Sequence, residues 1–210
     1  MIGLLIKIAL SYLLGSVSGS MIVGSLRHVD IREQGSGNAG GTNAFRTQGI
    51  IFAMFVVLID IGKGFLATWL FPQFDLGKLD TGISLETQIL VCGFAVVAGH
   101  CYPLWHGFRG GKGAATTVGV LLYVYPLVVI PMITVWLAVL VLTGWVGLAT
   151  ILAGVTVVLV FLWMDVASAL LWLGIALAIF IIFTHRSNIR DTLNGTEYRF
   201  KKIMIRNWFG

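Results

Sequence analysis

Long apolar blocks separated by short polar segments make up most of this chain. A helix needs about 20 apolar residues to cross the roughly 30 Å hydrocarbon core of a bilayer. The apolar blocks cover residues 2–26, 50–71, 86–104, 114–143, 147–163 and 166–184. Most of them are of that length, so the pattern predicts an all-α integral membrane protein.

The block at 114–143 decides the number of crossings, because Pro126 and Pro131 interrupt it. One kinked helix gives six crossings, and a turn at Tyr125–Pro126 gives seven. Short segments rich in lysine and arginine stay in the cytoplasm. These segments are loop 27–49, loop 105–113 and the tail after residue 184. Six crossings would put the tail outside, so we predict a seven-helix transmembrane bundle with its N-terminus outside and its C-terminus cytoplasmic.

The first half of the divided block is too short for an ordinary crossing. Residues 114–125 would form a helix only about 18 Å long at a rise of 1.5 Å per residue. Its ends must be buried by neighbouring helices, because unsatisfied backbone groups are not tolerated in contact with lipid. We therefore expect short, re-entrant-like helices that meet near Pro126.

Composition agrees with a membrane protein and excludes several other classes. The chain is 58% hydrophobic and 11% charged, whereas about a quarter of the residues in a soluble domain are charged. The net charge of +5 is explained by the basic cytoplasmic segments, so no nucleic-acid partner is expected. We predict one transmembrane domain over residues 1–210.

A polar, glycine-rich segment, Gly35–Arg46, follows the first apolar block. Its glycines permit backbone angles at which successive N–H groups surround an anion, and Arg46 can add charged donors. Gly35–Gly40 matches G-x-G-x-x-G, but no strand pattern precedes it, which excludes a dinucleotide fold. This first loop is interpreted as a phosphate-binding segment.

Two further polar segments share the predicted cytoplasmic face, residues 99–113 and 185–190. The former holds a second glycine-rich loop with Lys112, which is not a Walker lysine because Gly113 replaces the required Ser or Thr. The histidines stand singly with no acidic cluster near them, which disfavours a metal site. The simplest interpretation is one phosphate-binding site made by all three segments.

These segments resemble the acyl-phosphate:glycerol-3-phosphate acyltransferases of bacterial membranes, the PlsY family. The resemblance covers most of the chain and rests on Gly35–Asn38 with Thr42–Asn43, Asp60–Gly64, Gly107–Thr116, His185–Ile189 and Gly195–Glu197. It implies transfer of a fatty acyl group from acyl phosphate to the 1-hydroxyl of glycerol 3-phosphate. The products would be lysophosphatidic acid and phosphate, in the first step of phospholipid biosynthesis.

The resemblance also implies where the enzyme works and with what. It implies a single transmembrane acyltransferase domain, 1–210, in the bacterial cytoplasmic (inner) membrane, multi-pass, with its active site facing the cytoplasm. Its expected partners are acyl phosphate, glycerol 3-phosphate and membrane lipids, with no cofactor and no metal. The acyl-chain preference and the oligomeric state stay open.

Site residues follow from the same resemblance. The catalytic candidates are Ser36, Asn38, Lys112 and His185. The substrate-binding candidates are Gly37, Thr42, Asn43, Arg46, Gly110, Gly111, Gly113, Thr150 and Asn188. In this assignment the first loop lines the acyl-phosphate side and stabilises the developing oxyanion. Arg46 and Lys112 bind phosphate charge, while residues of the third segment, with Thr150, orient glycerol 3-phosphate.

Several alternatives stay open at this stage. The His-x4-Asp pair of soluble-type glycerolipid acyltransferases is absent, so the general base is either His185 or the phosphate of the acyl phosphate. Asp60 and Lys63 lie three residues apart inside a membrane helix, where they form an ion pair or contact substrate. The rival function is a membrane transporter of a phosphorylated solute, although the polar segments gather on one face. The basic residues of the tail are expected to be solvated and to face lipid head groups: Arg199, Lys201, Lys202 and Arg206.

Overall fold

The computed structural model describes residues 1–79 and 82–205, and every regular element in these ranges is helical. The α-helices are α1 (Ile2–Ser16), α2 (Gly19–Ser25), α3 (Gly41–Gln48), α4 (Ile50–Leu70), α5 (Leu85–Cys101), α6 (Ala114–Val124), α7 (Val129–Thr143), α8 (Val146–Trp163), α9 (Ser168–Thr184) and α10 (Arg186–Leu193). Short 3-10 turns connect several of them. The predicted all-α class is confirmed.

The chain divides into two compact units, Met1–Val124 and Tyr125–Gly210. In the first unit, α1 packs on α5, and α4 packs on α6. Glycines allow these backbones to approach closely, as in many membrane helix pairs. A side chain at Gly99 of α5 would overlap the carbonyl of Tyr12 in α1, and one at Gly119 of α6 would overlap that of Ile61 in α4.

In the second unit, α8 lies between two neighbours, because it packs on both α7 and α9. Phe161 of α8 is fully buried and contacts the Tyr125 ring edge-on, with ring centroids 5.6 Å apart. The chain after α10 returns to the turn between α7 and α8, where the Phe200 amide donates to the Gly144 carbonyl at 2.9 Å. This return gives the second unit its own closed framework.

Four helical segments in the described residues are long and apolar enough to cross a membrane, or up to six if each bent pair forms one span. The four are Ile50–Gln73, Leu85–His106, Pro126–Thr143 and Val146–Trp163. The bent pairs are α1 with α2, at 43°, and α9 with α10, at 54°. By length and composition, the described residues therefore hold four to six candidate membrane spans.

The apolar block at 114–143 is broken near Pro126. α6 ends at Val124, Tyr125 has φ −159° and ψ 78°, and Pro126–Val128 forms a 3-10 turn before α7. A proline disfavours helical angles at the preceding residue and lacks an N–H group, which explains a break here. Pro131 lies in the first turn of α7, where a missing N–H is tolerated.

The apolar block at 2–26, which counts as one predicted crossing, contains two helices. α1 ends at Ser16 and α2 begins at Gly19, and Val17 and Ser18 between them have extended angles. The break exposes backbone groups inside the first unit, and side chains of α4 bind them. Lys63 Nζ donates to the Val17 carbonyl at 2.7 Å, and the Gly19 amide donates to Asp60 Oδ1 at 3.4 Å.

Candidate active site

Asn43 organises the first loop from the first turn of α3. Its side-chain Oδ1 accepts from the Ser36 amide at 3.0 Å. The two hydrogens of its Nδ2 are shared among three carbonyl oxygens, those of Ile31 at 2.9 Å, Gln34 at 3.0 Å and Asn38 at 2.9 Å. Asn43 is only 2% exposed. Asn43 therefore positions the first loop, and its contact with substrate stays a prediction.

The bonds of Asn43 fold the first loop into a tight path. Gly35 and Gly37 have φ values of 57° and 70°, a left-handed conformation that glycine adopts with little strain. Asn38 Oδ1 then accepts from the Gly40 amide at 2.7 Å, just before α3 begins. The other predicted residues of this loop keep accessible surface, since Ser36 is exposed and Gly37, Thr42 and Arg46 are half-buried.

The second loop, Gly107–Gly113, connects α5 to the start of α6. Gly107, Phe108 and Gly113 all have left-handed φ values, of 61°, 59° and 90°. The Gly111 amide donates to the His100 carbonyl at the end of α5, at 3.1 Å. Lys112 is half-buried between Gly111 and Gly113, which are both buried.

Two hydrogen bonds join the first loop region to the second. The Ala39 amide donates to the Gly110 carbonyl at 3.3 Å, and Arg32 Nη1 donates to the His106 carbonyl at 3.1 Å. Arg32 also pairs with Asp30 at 2.6 Å, and this side-chain hydrogen bond lowers the pKa of the Asp30 carboxyl. The first unit therefore brings the two glycine-rich loops together.

The third polar segment belongs to the second unit. His185 ends α9, is 5% exposed and has its Nδ1 2.8 Å from the Ile181 carbonyl. A carbonyl oxygen can only accept, so in a neutral imidazole this contact places the proton on Nδ1. In α10, Asn188 Nδ2 donates to Glu197 Oε1 at 2.8 Å.

Thr150 lies on the face of α8 that also carries Gly147, since residues three apart share one side of a helix. A side chain at Gly147 would lie 2.7 Å from Asn188 Cβ, so the missing side chain makes room for Asn188. The Thr150 hydroxyl donates to the Val146 carbonyl at 2.9 Å and accepts from Trp136 Nε1 at 3.1 Å. Thr150 and Asn188 are therefore held on the same side of α8.

Arg199 in the tail differs from its expected solvated state. It is half-buried, its Nε donates to the Thr143 carbonyl at 3.0 Å, and its guanidinium lies 4.5 Å from the centre of the Trp145 ring. The turn between α7 and α8 presents both groups to it. Lys201 and Lys202 are exposed as predicted, and Arg206 lies outside the described residues.

Asp60 and Lys63 form the predicted ion pair, with Lys63 Nζ 2.9 Å from Asp60 Oδ1. His100 joins them, because its Nδ1 lies 2.9 Å from Lys63 Nζ. Spacing along α4 does not indicate this third member, because His100 belongs to α5. Glu197 is a second residue for which the sequence predicts no role, although it is the last residue of the Gly195–Glu197 motif.

The chemistry offered by the two loops is anion binding. The loops carry backbone N–H groups, the hydroxyl groups of Ser36 and Thr42 and the cationic side chains of Arg46 and Lys112. Groups of these kinds bind phosphate and developing oxyanions in proteins. Among residues 1–79 and 82–205, no three His, Cys, Asp or Glu side chains lie close enough together to hold a metal ion.

Comparison with known proteins gives one consistent family. A family model described as glycerol-3-phosphate acyltransferase matches residues 5–195. The glycerol-3-phosphate acyltransferase of Bacillus subtilis (strain 168) is 41% identical over 195 residues, covering 92% of this chain and 96% of the relative. That of Geobacillus sp. (strain WCH70) is 44% identical over 192 residues, covering 91% and 93%.

Solved structures agree in fold. The crystal structure of PlsY, an integral membrane glycerol 3-phosphate acyltransferase, in its glycerol 3-phosphate form is similar with a TM-score of 0.82 and 33% identity, covering 94% of this chain and 95% of that one. Its lysophosphatidic acid form gives a TM-score of 0.81 at 32% identity, with the same coverage.

The part of Asn43 can be tested with Asn43→Asp, which keeps the size of the side chain but replaces the donor with an acceptor. In the variant, a carboxylate oxygen replaces Nδ2 and lies opposite three carbonyl oxygens that have lost their donor. Each buried polar group left without a hydrogen bond costs about 1–3 kcal/mol. We expect a lower unfolding temperature and faster proteolysis within the first loop. Gln48→Ala is the matched control, since Gln48 bonds to Gln34 at an exposed position. Equal behaviour of the two variants would contradict this assignment.

Proposed function

Because the chain belongs to the glycerol-3-phosphate acyltransferase family, we propose that it transfers a fatty acyl group from acyl phosphate to the 1-hydroxyl of glycerol 3-phosphate. The products are lysophosphatidic acid and phosphate. The observation that carries the proposal beyond family membership is the hydrogen-bonded pair of glycine-rich loops, which offers N–H groups and cations for phosphate. The family match runs through both compact units, which supports one acyltransferase domain over residues 1–210.

The first unit is assigned to the acyl phosphate. Ser36, Gly37, Asn38 and Thr42 offer polar groups to the acyl carbonyl and the phosphate, within a loop whose backbone Asn43 holds. Arg46 and Lys112 neutralise phosphate charge, and the glycines at 110, 111 and 113 allow close backbone approach. Donors fixed before the reaction stabilise developing negative charge most effectively.

The second unit is assigned to glycerol 3-phosphate. The Ile181 carbonyl holds His185 in one tautomer, so its Nε2 can accept a hydrogen bond from a glycerol hydroxyl. Glu197 fixes the amide of Asn188, which with Thr150 orients the same substrate. The 1-hydroxyl oxygen bonds to the acyl carbon, the bond from that carbon to the phosphate oxygen breaks, and the hydroxyl proton leaves with the phosphate.

We propose the predicted seven-crossing topology for the chain in the bacterial inner membrane. The N-terminus lies outside, the tail lies in the cytoplasm, and α6 is a short, re-entrant-like helix. The distribution of lysine and arginine among the loops supports this arrangement. It places the two glycine-rich loops on the cytoplasmic side, where both phosphorylated substrates and membrane lipids are available.

The reaction is tested by mixing the purified protein with palmitoyl phosphate and glycerol 3-phosphate. We expect release of phosphate and formation of lysophosphatidic acid in equal amounts. Palmitoyl-coenzyme A in place of palmitoyl phosphate is the control for the donor and should give no product. Absence of product with palmitoyl phosphate, together with uptake of glycerol 3-phosphate into liposomes, would favour transport and contradict the proposal.

The part of His185 is tested with His185→Ala. If His185 orients glycerol 3-phosphate, the KM for that substrate rises by about tenfold or more while kcat changes little, as for loss of uniform binding. Thr156→Val, at an exposed hydroxyl on α8, is the control and should leave both constants unchanged. A fall in kcat at unchanged KM would instead identify His185 as the general base.

Topology is tested with a reporter fused at residues 144–146. With seven crossings this turn is cytoplasmic, so a reporter that is active only in the cytoplasm should be active there. A second fusion in loop 105–113 is the control, since that loop is cytoplasmic with six or seven crossings. Activity of the control together with an external reporter at 144–146 would rule out seven crossings.

A further inference from the structure

Asp60 and Lys63 of α4 and His100 of α5 form a buried charge cluster in the first unit. These residues are 1%, 4% and 5% exposed. Ionisable side chains inside a membrane protein are costly to bury and usually serve a site or pair with one another. The buried charge cluster does pair, yet an ion pair alone does not explain why a histidine from another helix joins it.

Lys63 is the centre of the buried charge cluster. Its Nζ donates to Val17 O at 2.7 Å and lies 2.9 Å from both Asp60 Oδ1 and His100 Nδ1. An ammonium group has three donors, and these three acceptors use all of them. His100 therefore accepts at Nδ1 and carries its own proton at Nε2. His100 Nδ1 also lies 3.4 Å from Asp60 Oδ1, because both atoms accept from the same Lys63 ammonium group.

The buried charge cluster also binds backbone groups that the break between α1 and α2 leaves without helical partners. The cation of Lys63 binds a carbonyl at the end of α1, and the carboxylate of Asp60 lies 3.4 Å from the Gly19 amide at the start of α2. Cations favour the C-terminal ends of helices and anions the N-terminal ends. The orientation of the ion pair is thus fixed from two sides, which in turn fixes the ring of His100.

His100 contacts the second loop through both its backbone and its ring. Its backbone carbonyl accepts from the Gly111 amide at 3.1 Å. Its ring fills the space beside Gly111, so that a side chain there would overlap atoms of the ring. From Gly110, the hydrogen bond to Ala39 continues to the first loop. The path runs from the buried charge cluster through His100 to both glycine-rich loops.

We propose that His100, held by Asp60 and Lys63, is a positioning residue that sets the place of Gly110–Gly111, and with it Lys112, for acyl transfer. The inference rests on the proposed function. The position of the loop matters because a displacement of about 1 Å in a reacting group can lower the reaction rate about 100-fold. His100 acts through the loop and does not itself touch substrate.

The test uses the fit between His100 and Gly111. Gly111→Ala adds a methyl group whose nearest neighbours are all atoms of the His100 ring. His100→Asn keeps an oxygen near the position of Nδ1, so Lys63 keeps an acceptor, but removes the edge of the ring beside Gly111. We expect Gly111→Ala to lower kcat/KM about 100-fold, mainly through kcat, and the double variant to recover at least tenfold.

Two matched glycine variants serve as controls. A methyl group at Gly110 would overlap the backbone carbonyl of His100, which no side-chain change relieves, so His100→Asn should not rescue Gly110→Ala. Gly62, in α4 beside Lys63, has open space around it, and Gly62→Ala should match the wild type. Rescue of Gly110→Ala, or no rescue of Gly111→Ala, would overturn the proposal.

A second readout separates this inference from the proposed function. Trypsin cleaves after Lys112, so the cleavage rate at that bond reports the position of the second loop without any assay of activity. Cleavage should be faster in Gly111→Ala and return towards the wild-type rate in the double variant. If the wild type releases no phosphate but this pattern holds, only the proposed function fails. Unchanged cleavage, or loss of thermal stability with an unaltered kcat, would leave His100 a purely structural residue.

Discussion

The need to satisfy backbone polar groups within the protein is the constraint on which the structure depends. Amides and carbonyls that are buried away from water and left unpaired destabilise the fold. The first loop meets this need through Asn43, which bonds to four backbone groups. The second loop meets it through the His100 carbonyl. The groups that make irregular loops stable are therefore the groups that give them a defined shape.

A defined shape is also what phosphate chemistry requires. Donors that are already oriented stabilise a developing charge without reorganising during the reaction. In the first unit, the Ala39 amide bonds to the second loop, and Arg32 bonds to the His106 carbonyl just before that loop. In the second unit, Glu197 orients Asn188 and the Ile181 carbonyl orients His185. In the second unit, neighbours without a predicted role therefore orient the predicted substrate-binding residues.

The sequence predicts features whose cause is local. Apolar blocks gave the helices, and Pro126 gave the break between α6 and α7, because a proline acts on its immediate neighbours. The break at Val17–Ser18 escaped prediction, since the side chains that stabilise it, Asp60 and Lys63, lie far along the chain. Arg199 escaped for a similar reason, because only the folded tail brings it to Trp145. The glycine-rich motifs located the candidate site, but an asparagine that binds substrate and one that binds backbone look the same in sequence.

Amide hydrogen exchange of the protein without substrates tests most directly whether the loops are built in advance. The amides of Ser36, Ala39 and Gly111 donate to Asn43, Gly110 and His100, so they should exchange much more slowly than in an unstructured peptide of the same sequence. Adding glycerol 3-phosphate should change these rates little. Exchange as fast as in the peptide, with slowing only after substrate is added, would contradict the account.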